Sequence, residues 1–235
     1  MEPAQSRLLL ALPSFLSLTS MVTDDPEDMI TGLRHAERKS PACYDPARAL
    51  FFRVLQGDFT FDIALAQARK LTDDVERKCA IGVLEASKSF LLAQPTAKVG
   101  RLPQMSISLP NGMEVNVSPV WIRHLAVEQL MILHVWRTPL SDYQLSIIGG
   151  ILQAALIRHQ PRCARRDLEL ISVAAPEHAS GRRLRSFSWE KLRPLDDDGL
   201  RRALSVICYA WAEYQRRGPR EVMRKAQPDL FNRAR

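Results

Sequence analysis

The sequence is poor in cysteine and in long apolar runs, and each shortage argues against a class of protein. Only four of the 235 residues are cysteines, and no two of them are close enough in sequence to form a CxxC pair. A secreted disulfide scaffold needs more thiols at shorter spacings. Isolated thiols are typical of a reducing compartment, so we expect a cytoplasmic protein.

No apolar stretch is long enough to cross a membrane as a helix. The segment from Leu8 to Leu18 is shorter than the roughly 18 residues that a span requires. It also lacks the basic start and the small-residue cleavage site of a secretory signal. We therefore expect residues 1–23 to form an apolar docking segment or a short amphipathic helix.

The common motifs of enzymes and cofactor sites are missing as well. The sequence has no glycine-rich nucleotide loop, no Walker motif, no nucleophile elbow and no zinc-protease motif. After residue 100 it also lacks the acid-x-lysine pair with which restriction-endonuclease-type enzymes hold Mg²⁺ and activate water. We therefore expect no catalytic residues, no cofactor and no metal, and we favour a non-enzymatic protein.

Lysine is scarce, with 7 residues against 26 arginines. This ratio is typical of a GC-rich genome, and it favours a bacterial source. The alternative is that arginine was selected for its bidentate contacts with phosphate.

What the sequence does have is an uneven charge. Residues 158–235 carry 18 basic and 10 acidic residues, and the whole chain has a net charge of +7. A neutral body with a basic end attracts an anionic partner, such as nucleic acid or an acidic protein. The basic residues that we predict to bind this partner are Arg162, Arg165, Arg166, Arg182, Arg183, Arg185, Arg216, Arg217, Arg220, Arg224 and Lys225.

Three functional hypotheses follow. The first is a non-enzymatic bacterial accessory or regulatory protein that binds an anionic partner through its basic C-terminal third. The second is a hydrolase or degenerate nuclease whose site is assembled from scattered residues. The third is a subunit of a protein complex. A basic C-terminus that only aids solvation is the alternative to partner binding.

Hydrophobic periodicity and capping residues predict an α+β fold. Helices are expected to begin at Asp45, at about Phe61 and at the capping-box pattern of Asp73. Alternating residues then predict a mostly antiparallel sheet of about four plus two strands, covered by two helices. The expected units are the N-terminal segment 1–23, a helical subdomain 24–97, an α+β subdomain 98–217 packed with it, and a basic tail 218–235.

The register of the first hairpin follows from its alternation. The apolar residues of segments 105–109 and 113–117 share one face only if Leu109 opposes Met113. This register places Gly112 in a left-handed turn conformation.

The next two segments, 121–125 and 129–136, are apolar on both faces, as in strands at the centre of a covered sheet. A turn at 126–128 would place Leu125 opposite Gln129. It would also separate His124 from His134 by about 13 Å, which is too far for two ligands of one metal.

The remaining segments predict a buried helix, a second hairpin and an amphipathic helix. Ser141 and Gln144 form a capping box for a helix to about Arg158, and the Gly149-Gly150 pair within it predicts close approach of another backbone. Segments 167–173 and 183–187 form the second hairpin, and a helix with an apolar stripe covers about 197–217.

Two acidic groups in this region have structural explanations. Asp167 and Glu169 adjoin Arg165 and Arg166, so ion pairing is favoured over cation binding. The aspartates 196–198 precede a helix, so we expect them to cap its free amides.

Overall fold

The computed structural model describes residues 15–19, 21–23, 25–38, 44–117, 119–136, 138–175 and 181–217. The first helices in these ranges are α1 (Phe15–Thr19), α2 (Pro26–Arg38), α3 (Asp45–Gln56), α4 (Phe61–Arg69) and α5 (Asp74–Ala93). The strands that follow are β1 (Lys98–Arg101), β2 (Met105–Ser108), β3 (Glu114–Val117), β4 (Trp121–His124), β5 (Gln129–Val135), β6 (Asp167–Ala174) and β7 (Arg183–Phe187). The other helices are α6 (Asp142–His159), between β5 and β6, and α7 (Trp189–Leu192) and α8 (Asp197–Arg217), after β7.

Capping side chains mark the start of the long helices, as the sequence predicts. The Asp73 carboxylate accepts hydrogen bonds from two amides of the first turn of α5. Ser141 and Gln144 form the capping box of α6. Asp196 accepts a hydrogen bond from the Gly199 amide at the start of α8, at 2.7 Å. Each cap satisfies amides that have no partner within the helix.

The start of α3 differs from the prediction by one residue. Tyr44 stands at the cap position without a side-chain hydrogen bond, and Asp45 is the first helical residue. The Asp45 carboxylate is instead paired with Arg48, 2.9 Å away on the next turn. The predicted end of this helix is confirmed, because Gly57 caps it with a left-handed φ of 81°.

Five of the strands form one sheet in the order β1-β4-β5-β6-β7. Neighbouring strands are antiparallel, except that β5 and β6 run parallel from the pair Gln129–Asp167 to the pair Val135–Val173. Helix α6 is the crossover between these two strands. The fold is therefore α+β with a mostly antiparallel sheet, as predicted, and the β6–β7 hairpin joins the sheet of β4 and β5.

The first hairpin, β2 with β3, is a separate two-stranded sheet. Its register is the predicted one, with the Leu109 amide donating to the Met113 carbonyl at 2.7 Å. Gly112 has a φ of 81°, a conformation that side chains with a Cβ rarely adopt.

The register of β4 with β5 is offset by two residues from the prediction. Arg123 opposes Gln129, so Leu125 is in the connecting loop rather than in the strand. The loop between β4 and β5 is longer than predicted, because it includes a bend at residues 125–127. An offset of two residues leaves every side chain on the face predicted for it.

Each face of the central strands packs on its own set of helices. Leu130 and Leu170 belong to a core that includes residues of α1, α2, α6, α8 and the β2–β3 hairpin. Met131 and Ile171, on the opposite face, belong to a second core with α3, α4 and α5. The two layers of helices explain why β5 and β6 are apolar on both faces.

Helix α2 packs against α8, at the other end of the chain. The Arg217 guanidinium donates to the Glu27 carboxylate in two hydrogen bonds, at 2.5 and 2.7 Å. Residues 24–97, predicted to form one helical unit, therefore contribute α2 to one face of the sheet and α3–α5 to the other.

The glycine pair in α6 lies where another segment of the chain comes close. A Cβ added at Gly149 would be 3.1 Å from Pro194 Cγ and 3.3 Å from Pro194 Cα. A Cβ at Gly150 would be 3.2 Å from a methyl group of Leu200. Since Pro194 Cα is backbone, it cannot move aside as a flexible side chain can.

We expect Gly149→Leu to lower the free energy of unfolding by about 1–3 kcal/mol, because the larger side chain forces the 194 backbone away from α6. The matched control is Gly82→Leu in α5, where the nearest atom to an added Cβ is in the Arg182 side chain at 3.5 Å. Urea denaturation of both variants measures the difference. Equal losses at the two positions would contradict the close approach.

Arg123 is the largest fully buried side chain among the described residues, and it joins the sheet to the end of α5. Its guanidinium donates to Gln94 Oε1 at 2.6 Å and to the Pro95 carbonyl. Burial lowers the pKa of Arg123, and the nearby Glu169 carboxylate opposes this shift. The positive charge of Arg123 thus lies at the carbonyl end of α5, where a cation stabilises the helix.

We expect Arg123→Met to lower the free energy of unfolding by about 2–3 kcal/mol, since hydrogen bonds from a charged donor are lost. Arg101→Met, on the neighbouring strand β1, is a control, because Arg101 is exposed. That change should stay within about 0.5 kcal/mol of wild type. If Arg123→Met unfolds at the same urea concentration as wild type, this role of Arg123 is wrong.

Candidate anion-binding site

β7 is the last strand of its sheet, and it carries two of the predicted arginines. Side chains alternate along a strand, so Arg183 and Arg185 share one face with Phe187. Each of these residues is about 7 Å along the strand from the one before it. Both arginines are exposed, and neither forms an ion pair with a carboxylate in the described ranges. The Arg185 guanidinium lies over the Phe187 ring, 4.9 Å from its centre.

A pocket of about 370 Å³ opens beside these arginines, and we name it the β7 pocket. Arg183 and Arg185 line it together with Ser172 of β6. Its apolar wall includes Phe187 and residues 139–140, which precede α6. Its volume is within the range of small-molecule sites, roughly 300–1,000 Å³.

Ser172 stands in the middle of a row of three residues across three strands. It opposes His134 in the pairing of β5 with β6, and Arg185 in the pairing of β6 with β7. Its Oγ is 3.0 Å from His134 Nδ1, and both side chains are buried. His134 Nε2 has no hydrogen-bond partner among the described residues. The row connects a buried imidazole, through a hydroxyl, to the basic edge of the sheet.

The His134 imidazole is neutral at physiological pH. Burial is the main reason that the pKa of His134 falls to about 3, and the positive charges of Arg48 and Arg182 contribute. A base this weak does not efficiently remove a proton from serine. The pair therefore suits a fixed hydrogen-bonding group better than an activated nucleophile.

Arg182, the next predicted arginine, is turned into the protein. One of its amino groups donates to the carbonyls of Trp136 and Val173, at 2.9 and 3.0 Å. The other is 3.7 Å from Cys79 Sγ, and the guanidinium lies over the Tyr44 ring. These contacts hold the start of β7 against the sheet and α5.

Three further arginines of the predicted set are paired with carboxylates. Arg166 forms an ion pair with Glu128, rather than with the neighbouring Asp167 or Glu169. The Glu169 carboxylate instead accepts a hydrogen bond from Ser186 Oγ at 2.6 Å.

Both arginines at the end of α8 bond to Glu213. Glu213 Oε2 is 2.6 Å from Arg216 Nη2 and 3.3 Å from Arg217 Nε. Arg217 also forms an ion pair with Glu27. The hydrogen bonds from these arginines hold the pKa of Glu213 below its ordinary value. The pairing reduces the charge that this end of α8 presents to a partner.

The remaining predicted residues do not join the β7 pocket. Arg162 and Arg165 are exposed in the turn before β6. Arg183 is opposite Ala174, at the far end of β6. At about 3.3 Å per residue, the length of β6 separates the two arginine pairs by roughly 23 Å. Arg220, Arg224 and Lys225 lie outside the described residues.

Sequence reasoning missed Ser172 and residues 139–140 as part of the site, and treated His134 only as structural. The sequence does contain a signal for His134 and Ser172. His134 and Ser172 are the polar residues near the ends of two otherwise apolar segments, 130–135 and 170–174. Without knowing that β5 and β6 are parallel neighbours, nothing in the sequence places them side by side.

The described cysteines are reduced and buried. Burial raises the pKa of Cys163, although three arginines are close to it in sequence. No group of three or more histidine, cysteine or acidic side chains in the described ranges is arranged to hold a metal ion. None of the described helices combines the length and the apolar character needed to span a bilayer.

No protein-family model matches this chain, and no curated protein is significantly similar to it in sequence. Function is therefore inferred from the site itself.

The low pKa of His134 predicts a loss of stability in acid. Unfolded histidine binds a proton near pH 6.5, whereas folded His134 does so near pH 3, so the unfolded state gains protons first as the pH falls. Between pH 7 and pH 5 this difference lowers the free energy of unfolding by about 2 kcal/mol. Chemical denaturation of wild type and His134→Asn at both pH values measures it.

The stability that wild type loses on acidification should exceed the loss in His134→Asn by that amount. Parallel losses in the two proteins would show that His134 titrates normally in the fold.

Proposed function

We propose that this protein is a non-enzymatic binding protein that holds an anionic partner against Arg183 and Arg185. The observation that carries the proposal is that these two guanidinium groups are exposed on one face of β7, without a described carboxylate, at the mouth of the β7 pocket. Guanidinium groups bind carboxylate and phosphate oxygens through pairs of parallel hydrogen bonds.

The partners of four other predicted arginines support a local site. Arg166, Arg216 and Arg217 already have carboxylate partners, and Arg182 donates to backbone carbonyls. Two arginines neutralise about two anionic groups, and binding to nucleic acid would then have a salt slope near −2, instead of the slope near −10 of an extended interface.

The weakness of His134 as a base supports binding over catalysis. A hydrolase that used Ser172 as its nucleophile would need a base able to accept its proton. We retain the hypothesis of a bacterial, cytoplasmic accessory protein, and the buried cysteines of the described ranges, which form no disulfide there, are consistent with a reducing compartment.

We expect the double variant Arg183→Gln, Arg185→Gln to weaken binding of an anionic probe by at least about 10-fold, because two charge-assisted contacts are lost. The probes are inorganic pyrophosphate, a 20-nucleotide single-stranded DNA of mixed sequence and a glutamate-rich peptide. Calorimetry or fluorescence anisotropy at low salt measures affinity. The matched control is Arg162→Gln, Arg165→Gln, which removes an equal charge at the other end of β6.

The proposal requires that at least one probe binds, that the β7 variant loses this binding and that the control keeps it. Circular dichroism of both variants checks that the fold is intact. Absence of binding by every anionic probe tested, or equal losses in the two double variants, would overturn the proposal.

A further inference from the structure

We infer that the β7 pocket binds a small molecule that joins one oxyanion, a carboxylate or a phosphate, to a short apolar body. This inference rests on the proposed function and specifies its ligand. The pocket places a hydroxyl donor and two guanidinium groups next to an apolar wall, in one open cavity.

The hydrogen bonding of His134 assigns the direction of the Ser172 hydroxyl. A neutral imidazole has one N–H and one bare nitrogen. If Nε2 carried the hydrogen, a buried N–H would lack an acceptor among the described residues, which folded proteins strongly avoid. The hydrogen is therefore on Nδ1, which donates to Ser172 Oγ across 3.0 Å.

This tautomer leaves the Ser172 hydroxyl hydrogen free to donate elsewhere. Ser172 forms no other hydrogen bond with the described residues, and its side chain lines the β7 pocket. Its O–H is therefore available as a neutral donor to an anion held by the Arg185 guanidinium, on the adjacent strand. His134 is a positioning residue in this arrangement, because it acts through Ser172.

The wall of the pocket defines the other half of the ligand. Pro139, Leu140 and Phe187 line it, and none of these side chains offers a hydrogen bond. Leu140 and Phe187 are also part of the buried core, so the wall is held in place before a ligand arrives. Apolar area that leaves water on binding adds affinity, so a ligand with an apolar body is favoured over a bare anion.

The same geometry disfavours a nucleic-acid strand as the ligand. A continuous nucleic-acid strand needs a row of cations along its phosphate backbone. The other exposed pair of predicted arginines, Arg162 and Arg165, is at the other end of β6, roughly 23 Å away by strand geometry.

The test compares four probes by isothermal titration calorimetry on the full chain. Phenyl phosphate and phenylacetate combine an oxyanion with an apolar ring, inorganic phosphate has the anion alone, and benzyl alcohol has the ring alone. We expect at least one of the first two to bind about 10-fold more tightly than either of the last two. Which of the two binds better identifies the oxyanion.

The variant Ser172→Ala tests the hydroxyl donor. We expect it to weaken binding of the better ring-bearing anion by about 10-fold, since a hydrogen bond to a charged group is lost. The matched control is Ser186→Ala on the opposite face of β7, where the serine bonds to Glu169 and should not affect affinity. Long-range ¹H–¹⁵N spectra of the His134 ring report its tautomer independently of ligand binding.

The results separate this inference from the proposed function. If the DNA or the acidic peptide binds through Arg183 and Arg185 while the ring-bearing anions do not, the inference is wrong and the proposed function stands. If no anionic probe binds, both are wrong. Ring-bearing anions that bind equally well to Ser172→Ala, or a His134 ring with its hydrogen on Nε2, would overturn the role of the hydroxyl.

Discussion

The parallel pairing of β5 with β6 is the constraint from which the other elements follow. A tight turn cannot close a parallel pair, so the chain must cross over the sheet, and α6 provides that crossover. Because α6 is apolar nearly all round, it must be covered on its outer side, and α8 and the β2–β3 hairpin cover it. The opposite face of β5 and β6 is apolar as well, and α3–α5 cover it.

This pairing also builds the candidate site. It brings His134 next to Ser172, although 38 residues of sequence separate them. The antiparallel addition of β7 then places Arg185 on the other side of Ser172. The polar groups of the site all lie on strands, so strand register holds them at fixed spacing along the sheet.

Sequence reasoning succeeded where the signal is local. The caps of α5 and α6, the register around Gly112 and the extent of α8 depend on residues a few positions apart, whose alternation or capping chemistry is readable. It did not find the contacts that depend on distant segments. The Arg182 guanidinium donates to carbonyls near the ends of β5 and β6. Arg166 forms an ion pair with Glu128, in the loop between β4 and β5. For the site, the sequence indicated the arginines but not the pocket beside them.

The buried thiols are distributed over both sides of the sheet. Cys79 belongs to the core under α3–α5, whereas Cys163 and Cys208 belong to the opposite core. Burial raises the pKa of both Cys163 and Cys208, and a thiol reacts with an alkylating reagent as the exposed thiolate. Each layer must therefore open before its cysteine is modified. The alkylation rates of Cys79 and of Cys208 therefore report whether the two layers of helices open together or separately.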